Sequence, residues 1–114
     1  MKLLTKAIEK KIPADKWTME NPDQPMRVYV KYFHPFSDWN WYFTEYNPET
    51  KTFFGIVHNN LTWEQMRDGE YGYTSLDELE SINILGCPIE RDLYWDDTQT
   101  IQDVYAIEKS NRGY

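Results

Sequence analysis

Polar and apolar positions alternate most regularly between Met26 and Asn59. Three runs there, 26–33, 38–46 and 52–58, carry aromatic and β-branched residues at every second position, the period of a β-strand. In the first run Met26, Val28, Val30 and Tyr32 share one predicted face, and Arg27, Tyr29 and Lys31 the other. In the second, Trp39, Trp41, Phe43 and then Glu45 fall on one face, with Asn40, Tyr42 and Thr44 opposite. The third is apolar on both faces (Phe54 and Ile56, then Phe53 and Val57), which predicts a strand inside the sheet, with Gly55 admitting a neighbouring ring. Residues 34–38 and 47–51 supply the Pro, Asn, Asp and Ser that suit the joining turns.

Helical spacing flanks this meander. Thr5 is an N-cap residue type, and Leu4, Ile8 and Ile12 recur every fourth position, so a short helix is expected to end at Pro13. Residues 14–25, with Pro22 and Pro25, read as a loop. Residues 61–68 read as a helical turn or an excursion, Asp68-Gly69 as a turn, and 70–74 as a fourth strand. Ser75-Leu76-Asp77-Glu78 has capping-box spacing, and the helix it opens places Leu76, Leu79 and Ile82 on one stripe before ending near Gly86. Residues 88–95 read as extended, Asp96-Asp97-Thr98 as the cap of a final helix carrying Ile101, Val104 and Tyr105, and residues from Ser110 as frayed. The expected fold is α+β: a small, mainly antiparallel sheet of about four strands flanked by two or three short helices, all in one domain over 1–114.

Composition narrows the function classes. A 114-residue chain buries enough of its unfolded surface to fold without a metal or disulfide staple. The one cysteine, Cys87, forms no internal disulfide and no multi-cysteine zinc site, which points to a reducing compartment. No apolar run approaches membrane-spanning length, and the lysine-rich start lacks a secretory apolar core, so the expected location is cytoplasmic with no membrane partner. Residues 1–60 carry a net charge of +1 and residues 61–114 a net charge of −8, giving −7 in all. A nucleic-acid binder needs the opposite bias to neutralise phosphates. Lys2, Lys6, Lys10, Lys11 and Lys16 crowd the N-terminus, where they read as the solvated face of a helix.

Several stretches carry a family resemblance: the opening Met1-Lys2-Leu3-Leu4-Thr5, Trp39-Asn40-Trp41-Tyr42-Phe43-Thr44-Glu45, Phe53-Phe54-Gly55, residues 73–80 and residues 86–95. Together they resemble a small bacterial family defined only as a domain of unknown function and met on conjugative elements, plasmids and phages. The resemblance runs over about residues 1–95 and leaves 96–114 as a variable C-terminal helix or tail. It implies a cytoplasmic protein of a mobile genetic element and brings no activity, cofactor or catalytic residue.

Candidate chemistry therefore comes from the residues alone. Glu90-Arg91-Asp92 sits between Ile89 and Leu93; in an extended chain Glu90 and Asp92 project from one face, where two carboxylates can hold a divalent cation or share a proton. The simpler expectation is that Arg91 ties the segment to the sheet through a carboxylate such as Glu45 or Glu80. Glu45, beside large rings by parity, is a second candidate, as a general acid of raised pKa unless it leans into solvent at the strand end. Glu49-Thr50-Lys51 after Asp23 echoes a metal-dependent nuclease signature but falls in a predicted turn instead of a core strand. His34 and His58 lack metal-ligand spacing, no serine occupies a nucleophile elbow, and no phosphate-binding glycine loop is present. Tyr29, Tyr42, Tyr46, Tyr71 and Tyr73 read as core and surface packing before they read as a stacking platform.

The expected function is a non-catalytic protein-interaction module without cofactor or metal. Its acidic surface, at Asp77, Glu78, Glu80, Glu90, Arg91, Asp92, Asp96 and Asp97, is expected to meet a basic surface of a protein partner, as inhibitors that mimic DNA do. The alternatives are a small metal-assisted hydrolase or nuclease using Glu90, Asp92 and Glu45, and a single-stranded nucleic-acid binder using the N-terminal lysines and tyrosines. Nothing in the sequence sets an oligomeric state.

Overall fold

The computed structural model describes residues 2–58 and 71–112. Helices α1 (Lys6–Lys11) and α2 (Trp17–Glu20) precede strands β1 (Val30–Phe33), β2 (Asn40–Asn47) and β3 (Thr52–His58). Strand β4 (Tyr71–Ser75) runs directly into helix α3 (Leu76–Ser81). A small hairpin of β5 (Asn83–Ile84) and β6 (Cys87–Pro88), strand β7 (Glu90–Arg91) and helix α4 (Ile101–Arg112) complete the order. The sheet is antiparallel, with strand order β4-β3-β2-β1-β7. The fold is thus α+β, as the alternation predicts, with β7 as a fifth strand where the sequence shows only an extended segment. Residues 61–68, Asp68-Gly69 and Glu70 lie outside the described residues.

Apolar residues on both faces of the interior strands call for cover on both sides, and the flanking helices provide it. One core contains Leu3, Leu4, Ile12, Val30, Tyr32, Trp41, Phe43, Tyr46, Phe53, Leu76, Leu79 and Ile89, so the N-terminal segment, α1 and α3 pack on that side. Phe43 and Phe53 stack there at 4.6 Å and 13°. The opposite core joins Val28, Tyr42 and Ile56 to Ile101 and Val104 of α4. Trp95 leans over Tyr42 at 5.6 Å and donates from its indole to the Val28 carbonyl.

Three departures from simple alternation set the side-chain directions. Met26 and Val28 pack in the α4-side core, whereas Val30 and Tyr32 pack in the other, so the four do not share a face. The chain changes partner between them: the Val28 amide bonds to the Gln99 carbonyl and Arg27 bridges to Thr100, while the Tyr29 amide bonds to Phe43 of β2. In β2 the register to β3 slips between Phe43 and Glu45, a β-bulge that leaves Thr44 without a partner residue on β3. The slip reverses the alternation, putting Tyr46 with Phe43 and Trp41, and Glu45 opposite Phe54 on the α4 side. Gly55 meets backbone, not a ring: a Cβ there would lie 2.0 Å from the Tyr42 carbonyl oxygen.

Local signals fix the helix ends with smaller corrections. Thr5 accepts from the Ile8 amide and Ser75 from the Glu78 amide, the expected caps of α1 and α3. Helix α3 stops at Ser81, since Ile82 is already extended, and Gly86 serves the β5–β6 turn instead of a helix end. Helix α4 is capped by Thr100, which exchanges hydrogen bonds with Asp103; Asp96 instead closes its own turn onto Thr98. The same helix continues through Ser110 to Arg112, where the sequence predicts fraying. The predicted loop over 14–25 contains the short helix α2, and Trp39, expected in the core, precedes β2 and is partly exposed.

Candidate interaction groove and the acidic residues around it

The acidic residues divide into structural ones and unengaged ones. Asp97 is the hub of a clasp, paired with Lys11 at 3.2 Å and Arg27 at 3.0 Å. Hydrogen bonding from Lys11, outweighing partial burial, and from Arg27 holds its carboxyl below the usual aspartate range. Asp96 is lowered by its bonds with Thr98. Asp92 pairs with Lys31 at 3.6 Å and accepts from the Tyr94 amide. Arg91 ties its segment to the N-terminal chain by donating to the Lys2 and Leu3 carbonyls, and Tyr32 donates to Leu3 from the core side at 2.6 Å. Asp92, Asp97 and Arg91 thus join segments distant in sequence, whereas Asp96 closes a local turn.

Glu80 and Glu90 face a different setting. They line a groove of about 650 Å³ whose other walls are Lys2, Leu3, Pro35, Leu79, Cys87, Pro88 and Ile89. Helix α3 brings Glu80 there because Leu79, its neighbour, is fully buried and anchors the helix. Strand β7 brings Glu90 there because Ile89 is buried and Glu90 pairs with Phe33 at the sheet edge. Neither carboxylate enters an ion pair among the described residues. Asp77 and Glu78 are exposed on α3 outside the groove. Their field reaches the core. The Tyr46 hydroxyl is raised above the ordinary tyrosine value first by burial, then by Glu9, Asp77 and Glu80. Glu9 of α1 thus acts on the same hydroxyl as Asp77 and Glu80. Sequence reasoning missed it because α1 reads as a lysine face.

The groove has a rigid rim. The buried His34 ring accepts from the Phe36 amide at Nδ1, which leaves Nε2 to donate to the Cys87 carbonyl at 3.1 Å. The β5–β6 hairpin is thereby fastened to the turn between β1 and β2. Pro35 has no charge to flag it in the sequence, and Lys2 and Leu3 are brought in by the core packing of Leu3 and Leu4 together with the Arg91 and Tyr32 bonds.

Glu45 does not converge with Glu90 and Asp92. Its carboxylate is buried, 3% exposed, and takes the Lys16 amide at 2.8 Å and the Thr18 amide at 2.9 Å. It thus neither leans into solvent nor lies beside Trp41 and Phe43. Glu45 also borders a second, apolar groove of about 410 Å³ with Met19, Met26, Phe54, Tyr71 and Tyr73. Among the described residues no three His, Cys, Asp or Glu side chains are grouped to hold a metal ion. Glu49, Thr50 and Lys51 fall in the β2–β3 turn. Of the five tyrosines, Tyr42 and Tyr46 are buried in opposite cores, Tyr29 lies under Arg27 at 4.6 Å, and only Tyr71 and Tyr73 are exposed. No helix of the described residues is long and apolar enough to cross a membrane.

A family profile matches residues 3–113 of the chain. The chain belongs to that family, described as Protein of unknown function (DUF2958). No curated protein and no solved structure matches it at a significant level. For this DUF2958 member the groove between α3 and β7 is where carboxylates outside the ion pairs of the described residues meet apolar surface. Such a surface suits a ligand that is cationic at one point and aliphatic around it.

Proposed function

We propose that this DUF2958 protein is a non-catalytic interaction module, cytoplasmic and carried by a mobile genetic element, that engages a basic surface of a host protein. The observation that supports the reading most directly is the placement of Glu80 and Glu90 in one apolar-walled groove, outside the ion pairs that hold the fold. An arginine or lysine of the partner enters between them with its aliphatic stem along the exposed Pro35 and Pro88. Asp77, Glu78 and Glu9 extend the negative field outward and steer the encounter. Asp92 and Asp97, grouped with this surface by sequence, serve the scaffold, and Asp96 closes a local turn.

The test compares the native chain with Glu80→Gln/Glu90→Gln, immobilised and exposed to a bacterial lysate. The native chain is expected to retain a discrete protein at about 50 mM salt and release it near 500 mM, as a contact dominated by charge does. The double variant is expected to retain at most a tenth as much while melting at the same temperature. Equal retention by both chains, or no salt-sensitive protein on either, ends this reading.

A further inference from the structure

The hairpin beside the groove ends in an unusual residue. Its two-residue turn, between the pair Ile84 and Cys87, has positive φ at both centres, Leu85 at 55° and Gly86 at 81°. Turns of that kind favour Asn-Gly, because a branched apolar side chain disfavours the left-handed region. Leu85 gains nothing from the fold in return: it is 85% exposed. Ile84 behind it is 41% exposed, and Phe36 on the neighbouring turn is 62% exposed. These three apolar residues do not belong to wandering loops. The His34 side chain links their two supports, by its bond to Cys87 and by its ring contact with Phe36 at 6.1 Å. The next residues on each support, Pro35 on one side and Cys87 and Pro88 on the other, are groove walls.

We infer that Leu85 and Phe36 are the specificity contacts of the groove, gripping large aliphatic or aromatic residues that flank the basic residue seated between Glu80 and Glu90. The inference rests on the groove being a protein-binding site and adds the partner's chemistry: a segment in which Arg or Lys stands next to a bulky apolar residue. Charge complementarity selects the basic residue, since among the described residues the groove walls set two carboxylates against one cation, Lys2. The strained, exposed leucine selects its neighbours, and the fixed hairpin presents it without an ordering cost at binding. A purely basic surface without apolar neighbours engages the groove but leaves the rim empty.

A random heptapeptide library displayed on phage and panned on the native chain supplies the probe. It is expected to enrich peptides with Arg or Lys beside Leu, Ile, Phe or Trp. The consensus peptide, labelled with fluorescein, is then titrated by anisotropy against three variants. Leu85→Asn restores the residue the turn prefers, so its melting temperature is expected to rise by a few degrees while peptide affinity falls at least tenfold. Phe36→Ala is expected to lose affinity at unchanged stability. Glu80→Gln/Glu90→Gln is expected to lose both affinity and salt dependence. Native affinity in Leu85→Asn and Phe36→Ala, with loss in the glutamine variant, overturns the rim inference and leaves the groove reading standing. Enrichment without basic residues, or native affinity in the glutamine variant, overturns both.

Discussion

Gly55→Ala is expected to be the most damaging single-methyl change in this protein. A Cβ at that position would lie 2.0 Å from the Tyr42 carbonyl oxygen and 2.7 Å from the Phe43 Cα. Both are backbone atoms of the neighbouring strand, so no side chain can swing aside. Strands β2 and β3 would have to part where Phe43 and Gly55 are register partners, one residue from the Thr44 bulge. Below that point lie Phe43, Phe53 and Tyr32, all fully buried. Overpacking against an unyielding wall ranks among the costliest substitutions, and a loss of about 4 kcal/mol or more is expected. For a domain of this size that corresponds to a drop in melting temperature of about 15 °C or more. Gly72 supplies an internal control. It pairs with Gly55 across β3 and β4, and nothing lies within 4 Å of a Cβ built on it. Gly72→Ala is expected to melt within a few degrees of the native chain. Thermal denaturation of the two variants followed by circular dichroism decides the matter, and a native-like melting curve for Gly55→Ala contradicts the close passage of β2 over Gly55.

The contrast between those two glycines marks where sequence reading stops. Alternation in 38–46 and 52–58 correctly predicts two long strands, because a half-buried sheet imposes its period on the side chains wherever the register runs unbroken. It cannot see the slip at Thr44, which depends on how β3 passes its neighbour and not on any residue type. One unpaired residue then moves Glu45 from one face to the other and Tyr46 into the core, so every parity argument beyond the bulge inverts. The same limit appears at Val28 and Val30, where the chain exchanges a partner before α4 for β2. Caps were legible because Thr5 and Ser75 act on amides three residues ahead, a range that a sequence displays directly.

The groove was half legible for a related reason. Acidity in residues 61–114 drew attention to Glu80 and Glu90, but net charge does not say which acids are already engaged. Asp92 and Asp97 are spent on cations from β1, α1 and the chain before β1, contacts that span long stretches of sequence. Arg91 also reaches carbonyls of the N-terminal segment, which no local pattern announces, because packing of Leu3 and Leu4 into the core places those carbonyls beside the sheet edge. The apolar half of the site, Pro35 and the hairpin tip, carries no charge and no motif. Only the fold reveals it.

Glu45→Ala is the second large effect expected, and it separates an anchoring role from a catalytic one. The carboxylate sits behind Lys16 and Thr18 and receives both their amides, one on each oxygen. Lys16 is held at φ of 69°, left-handed backbone that a non-glycine residue adopts at a cost, and Glu45 clamps it at that point. Hydrogen bonds to a charged acceptor contribute about 1.5–3 kcal/mol each, discounted here because water reaches the partly exposed turn once the carboxylate is gone. The expected cost of Glu45→Ala is about 2–4 kcal/mol, with faster amide exchange over residues 15–20. Glu45→Gln is expected to lose most of the same amount, since its amide nitrogen would face a backbone N–H donor where an oxygen now accepts. Replacing Lys16 by glycine, which takes positive φ freely, is expected to recover part of the stability in the Glu45→Ala background and to do less in the native one. A general acid has no such signature: its loss leaves stability and the Lys16 coupling untouched. Chemical denaturation of the four chains gives the coupling energy directly, and additivity of the Lys16→Gly and Glu45→Ala effects would remove the anchoring role.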